Sequence, residues 1–120
     1  MPSTISVDHT AQRVYTAGIG QVTYQDVIDH LKQEEINNGL PYSELIDATG
    51  ATSAFSADEI RRIADYIRVL GRNYKLGKAA IIVKDDVTYG MIRMLGILLE
   101  DVIETNVFRD KAEAINWLGW

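Results

Sequence analysis

Apolar and polar residues alternate along residues 4–8 (Thr-Ile-Ser-Val-Asp) and 12–18 (Gln-Arg-Val-Tyr-Thr-Ala-Gly). That is the period of a half-buried strand. The three residues between them, His9-Thr10-Ala11, are short enough for a hairpin, so two antiparallel strands are expected at one edge of a sheet. Gly18-Ile19-Gly20 then reads as a turn. From Thr23 the period becomes helical. Thr23 is the expected N-cap, with Asp26 three residues on, and Tyr24, Val27, Ile28 and Leu31 share the inward face. Asn37-Asn38-Gly39-Leu40-Pro41 is a loop by composition. A short strand at 44–49 ending at Gly50 follows, then a loop over 51–55. Ser56-Ala57-Asp58-Glu59 is a capping box that opens a second helix with Ile60, Ile63, Ala64, Ile67 and Leu70 inward, and Gly71 suits its end.

The stretch Lys78–Val102 organises the rest. Ala79-Ala80-Ile81-Ile82-Val83 is an apolar run bounded by lysines, the pattern of a strand buried on both faces. Asp85 and Asp86 open a third helix, because carboxylates accept from the free N–H groups of a first turn. A buried strand feeding an amphipathic helix is half of a βαβ unit. Residues 105–109 read as a last strand. Asp110 is the expected cap of a final helix, with Glu113 in the box position, Ala112, Ile115 and Leu118 inward and Gly119 at its end. The order is ββαβαβαβα. Right-handed crossovers make the sheet parallel after the initial hairpin, with helices on both faces.

The third helix carries a surplus of apolar residues. Val87, Met91, Met94, Leu95, Leu98 and Val102 fall in one stripe, extended by Ile92, Leu99 and Ile103, while Tyr89, Arg93, Gly96 and Glu100 form a polar side. Met91, Met94 and Leu98 are expected at its adaptable centre. Ile92, Leu99 and Ile103 are expected to face away from the sheet, toward a neighbouring helix or a second subunit. A homodimer interface or an apolar cavity would use that surplus.

Length and composition narrow the function. One hundred and twenty residues make one domain, spanning 1–120, with 47% apolar and 24% charged residues. A net charge of −5 argues against nucleic-acid binding. The first 60 residues carry only Arg13 and Lys32 as basic groups, whereas Arg61, Arg62, Arg68, Arg72, Lys75, Lys78 and Lys84 crowd the segment 61–84. Most of that cluster reads as a solvated helix face. The absence of cysteine excludes disulfides, thiolate metal sites and thiol catalysis. No signal sequence or membrane-length apolar run is seen, so a cytoplasmic protein is expected.

Candidate chemistry is sparse. Asp26, His30 and Glu34 share a helix face, an arrangement that can hold a metal. An exposed acidic face with a neutralising histidine is the preferred reading, because metal sites also recruit ligands from elsewhere; no metal and no cofactor is expected. There is no nucleophile elbow, and Gly18-Ile19-Gly20 lacks the third glycine of a dinucleotide fingerprint. Asp47, Thr49, Lys84, Asp85, Asp86, Arg109 and Asp110 lie at or just after C-terminal strand ends, where open α/β sheets bind ligands. Capping and turn formation account for most of these aspartates. Arg93 interrupts the third helix, and an ion pair with Asp86, two turns earlier, is expected.

Five pieces in order carry a resemblance: Leu45-Ile-Asp-Ala-Thr49, Ala80-Ile-Ile-Val83, Tyr89-Gly-Met-Ile-Arg-Met94, Val107-Phe-Arg-Asp110 and Ala114-Ile-Asn-Trp-Leu118. Over roughly residues 5–118 the chain resembles the STAS domain of bacterial anti-sigma-factor antagonists, and more closely the small stand-alone SpoIIAA-like bacterial proteins. The resemblance implies a mostly parallel five-stranded sheet with an antiparallel N-terminal hairpin. It also implies binding to a regulatory protein, or to an apolar ligand held between helices and sheet. In phosphorylated antagonists an Asp-Ser-Ser-Gly-like motif opens the second helix. Here Ser56 stands at the aspartate position, Ala57 and Asp58 at the serines and Glu59 at the glycine. Ser56 is therefore expected to cap a helix and not to accept phosphate.

The expected function is a non-enzymatic regulatory or small-ligand-binding module. The rival is a small enzyme with a site around Asp47, Asp85 and Arg93. Candidate ligand or partner contacts are Asp47, Thr49, Ser56, Asp85, Asp86, Tyr89, Met91, Arg93, Met94 and Leu98.

Overall fold

A computed structural model describes residues 3–120. Five strands and four helices follow the expected order: β1 (Ser3–Asp8), β2 (Arg13–Val22), α1 (Tyr24–Ile36), β3 (Ser43–Ser53), α2 (Ala57–Asn73), β4 (Ala79–Ile82), α3 (Asp86–Leu98), β5 (Thr105–Phe108) and α4 (Lys111–Leu118). The sheet order is β1-β2-β3-β4-β5, antiparallel between β1 and β2 and parallel elsewhere. The apolar run at 79–83 is interior, between β3 and β5, and every residue of β4 is buried.

Local chemistry starts the helices where the sequence places them. Thr23 and Asp26 form a reciprocal capping box on α1, and Ser56 and Glu59 do the same on α2. Asp85 accepts from the N–H of Thr88 at the start of α3. Asp110 departs from expectation. It occupies the N-cap of α4, but its side chain makes no capping hydrogen bond.

Sequential parallel order with right-handed crossovers puts α1, α2 and α3 side by side on one face of the sheet and leaves α4 to cover the other. On the α4 face, Leu45, Ala80 and Ile82 pack against Ala114 and Leu118. Ala112, expected inward, is exposed, and Ala114 takes its place. On the opposite face, Ala79, Ile81, Val83 and Val107 pack with Ile92 and Ile103. Each fully buried Leu, Ile or Val contributes about 1.5–3 kcal/mol.

Two strands run longer than expected. Residues 18–20 are not a turn: β2 continues to Val22 across an irregularity between Ala17 and Ile19. Residues 51–53 are not loop either, because Gly50–Ser53 pair with Ile19–Val22. Each extension supplies the backbone partner that the other needs. No helix among the described residues is long and apolar enough to cross a membrane.

The orientation of α3 is also corrected. Thr88 and Leu99 are buried, and Ile92 and Ile103 lie against the sheet. Val87, Met94, Ile97 and Leu98 face outward, with Met94 51% exposed and Leu99 1%. The helix ends at Leu98 and residues 99–102 form a turn. Leu99, seven residues after Ile92, and Ile103, four further on, share the face of Thr88 and Ile92, so the helical period groups them correctly and it is the other stripe, through Val87, Met94 and Leu98, that faces outward.

Candidate functional site

Three helices over one sheet face border a partly open apolar cavity of about 220 Å³. Its floor includes Ile46, Ala48 and Ile81, and its roof includes Val27, Ile67 and Leu95. Alternation along β3 decides which side chains reach it. Glu44, Ile46 and Ala48 point to the cavity, whereas Leu45 packs on the α4 side.

One end of the cavity is polar. Thr16, Glu34 and Glu44 are buried there, and His30 is nearly so. His30 and Glu34 lie one turn apart on α1 and project down from the roof. Glu44 rises from β3 and Thr16 from β2 beside it. His30 Nε2 is 2.6 Å from Glu34 Oε1 and 2.9 Å from Glu44 Oε2. The Thr16 hydroxyl donates to the same Glu44 Oε2 at 2.7 Å. One N–H therefore faces two carboxylates. With that hydrogen directed to Glu44, Glu34 Oε1 is buried without a hydrogen-bond partner among the described residues.

Burial alone would lower the His30 pKa, but hydrogen bonds and charge from Glu34 and Glu44 outweigh it and raise it from 6.5 to about 10. Burial, reinforced by the Glu44 charge, raises Glu34 well above the usual carboxylate range. Glu44 is buried too, yet its hydrogen bonds from His30 and Thr16 and the His30 charge hold it below that range. Glu34 is thus the carboxylate that takes a proton first.

This constellation overturns the reading of the α1 face as exposed and acidic. His30 and Glu34 turn inward, and Asp26 is committed to the cap of α1. Glu44 and Thr16 were missed. The signal was present in the alternation, which puts Glu44 on the strand face shared by Ile46 and Ala48.

The expected site residues do not converge. Asp47 lies on the α4 side of the sheet, accepting from the N–H and hydroxyl of Thr49 at 3.1 and 2.6 Å. The Thr49 hydroxyl is the first cause of its lowered pKa. Asp85 caps α3, and Ser56 caps α2. Arg93 is exposed along a groove between α3 and β5. Asp86 pairs with Arg109 instead of Arg93, and the Arg109 guanidinium sits 4.6 Å over the Tyr89 ring. Met91 is half-buried, and Met94 and Leu98 are on the outer face of α3.

No family model and no curated protein matches the chain. Among solved structures it is similar to an uncharacterized protein of the DUF3478 family, with a SpoIIAA-like fold, from Shewanella loihica PV-4. The two share 20% identity over 97% of this chain and 93% of that one, with a TM-score of 0.64. The fold is SpoIIAA-like. At that identity the likeness speaks to the fold, and any function must be argued from the site.

Proposed function

We propose that this SpoIIAA-like domain is a non-enzymatic module that binds a small apolar molecule between its sheet and helices α1, α2 and α3. The observation that carries the reading is the cavity itself. At about 220 Å³ it exceeds an apolar cavity of roughly 150 Å³ that stays dry and binds benzene. An aromatic ring or a short alkyl chain fits that space and chemistry. The enzyme reading loses support because Asp47 and Arg93 lie on opposite sides of the sheet.

Native mass spectrometry of the purified protein tests for a co-purified small molecule. Calorimetric titration with indole and 1-octanol tests the cavity directly. Ala48→Leu places extra carbons in the cavity and should abolish binding while keeping the fold. No retained molecule, together with no heat from either probe, would overturn the reading. So would unchanged binding in Ala48→Leu.

A further inference from the structure

We propose that His30, Glu34 and Glu44 form a binding site for a divalent first-row metal ion, Zn²⁺ or a close analogue, opening onto the cavity. The three side chains come from two elements, a helical i, i+4 pair and a strand residue facing it. Their ligand atoms all lie within 4.8 Å of one another. One imidazole and two carboxylates suit Zn²⁺, Mn²⁺, Fe²⁺ and Co²⁺. Three protein ligands leave a further position free, and here it would face the cavity.

A second observation, independent of the clustering, points to a cation. Glu34 is 5% exposed, and its Oε1 faces His30 with no hydrogen-bond partner among the described residues. Leaving a buried carboxylate oxygen unpaired is costly. The imidazole Nε2 has one hydrogen to share between two oxygens, whereas a metal ion that displaces this hydrogen to solvent takes a lone pair from both oxygens and from the nitrogen together. Thr16 holds Glu44 Oε2 from behind at 2.7 Å, the kind of outer hydrogen bond that orients a metal-binding carboxylate. With bonds of about 2.1 Å, ligand atoms around a tetrahedral ion sit roughly 3.4 Å apart. The present spacings of 2.6 and 2.9 Å must widen by less than an ångström, which rotation of the two glutamate side chains allows. The site is distinct from Asp47, Asp85 and Asp86 at the strand ends, whose side chains are occupied by a turn, a cap and an ion pair.

The test uses the full chain stripped with a chelator, with no apolar ligand present, so its failure is separate from failure of the cavity reading. Zn²⁺ is titrated by calorimetry, and Co²⁺ is followed by visible absorption, which reports coordination geometry. The expected result is one ion per chain. Glu34→Gln and His30→Ala should each weaken binding by at least about tenfold, whereas His9→Ala, at the exposed histidine, should leave it unchanged. Circular dichroism checks that each variant is folded, and Glu34→Gln keeps the size and polarity of the side chain should His30→Ala fail to fold. Absence of stoichiometric binding of both ions to the wild-type chain overturns the proposal. So does binding that survives Glu34→Gln or is lost in His9→Ala.

Discussion

His30 on α1 and Glu44 on β3 meet at 2.9 Å across one end of the cavity, tying the roof of the domain to its sheet. Removing one partner of a buried pair costs more than the pair itself contributes, because the other charge is left without compensation. In His30→Ala two buried carboxylates face each other. The expected loss is about 3–5 kcal/mol at neutral pH, read from urea denaturation with chelator present. Replacing His30, Glu34 and Glu44 together by leucine should cost less than His30→Ala alone. A single variant as stable as the wild type would show that the contact does not hold α1 to β3.

The same cluster makes the metal-free fold sensitive to alkali. A His30 pKa raised from 6.5 to about 10 means that the folded state prefers the imidazolium. Its contribution is fully present below pH 6.5 and is lost as the pH rises through about 10. The raised Glu34 pKa acts in the same direction, with its contribution present below the ordinary carboxylate value and lost above it. Glu44, held low, contributes above its ordinary value and loses that contribution in acid. Stability should therefore fall between pH 6.5 and 10. His30→Ala, measured beside it, should show a flatter profile over that window. A wild-type midpoint that stays constant from pH 6.5 to 10 would contradict this.

Leu99 is the clearest case in which the period groups residues correctly but the expected orientation turns the wrong stripe toward the sheet. It is 1% exposed beneath the turn that follows α3. Leu99→Ala should cost about 2–5 kcal/mol. Leu99→Glu should unfold the domain, since its charge would have no partner. Met94→Glu, on the outer face, should change stability by no more than about 0.5 kcal/mol. Thermal melts of the three variants decide the assignment, and a well-folded Leu99→Glu protein would reverse it.

What was legible in the chain depends on the range of the interaction that decides it. Capping boxes at Thr23 and Ser56 are written in adjacent residues, and the apolar run 79–83 states its own burial. The extensions of β2 and β3 are different, because each exists only where the other pairs with it. The cavity cluster is harder still. Glu44 becomes meaningful only when the crossover through α1 returns β3 beneath His30, a relation that the parallel register fixes and helix periodicity cannot.

Ser56 carries a short-range prediction. Its hydroxyl accepts from the N–H of Glu59 at 3.1 Å, while Glu59 accepts from the Ser56 N–H at 2.9 Å. Ser56→Ala should lose about 0.5–2 kcal/mol. A chemical denaturation midpoint indistinguishable from wild type would remove the cap from the account of α2, and stoichiometric phosphate on Ser56 after treatment with a cognate kinase would give that serine another role.

Gly77 and Gly90 should respond in opposite directions to the same substitution. A Cβ on Gly77 would lie 2.1 Å from the backbone oxygen of Tyr42 and 2.7 Å from that of Pro41. Both atoms belong to main chain entering β3, and the Gly77 N–H already donates to Leu40 O at 2.9 Å. No side chain can rotate away, so the strand entrance must move, and with it Glu44 two residues further on. Gly77→Ala should therefore lose at least the 1–3 kcal/mol typical of overpacking, about the upper end of that range. Gly90 stands on an exposed stretch of α3, where a Cβ meets nothing within 4 Å. Gly90→Ala should gain about 0.5–1 kcal/mol, because alanine loses less backbone entropy in a helix. Paired denaturation curves measure both. If Gly77→Ala were as stable as wild type, the close approach of the α2–β4 connection to the start of β3 would be wrong, and so would the placement of Glu44 beneath His30 that depends on it.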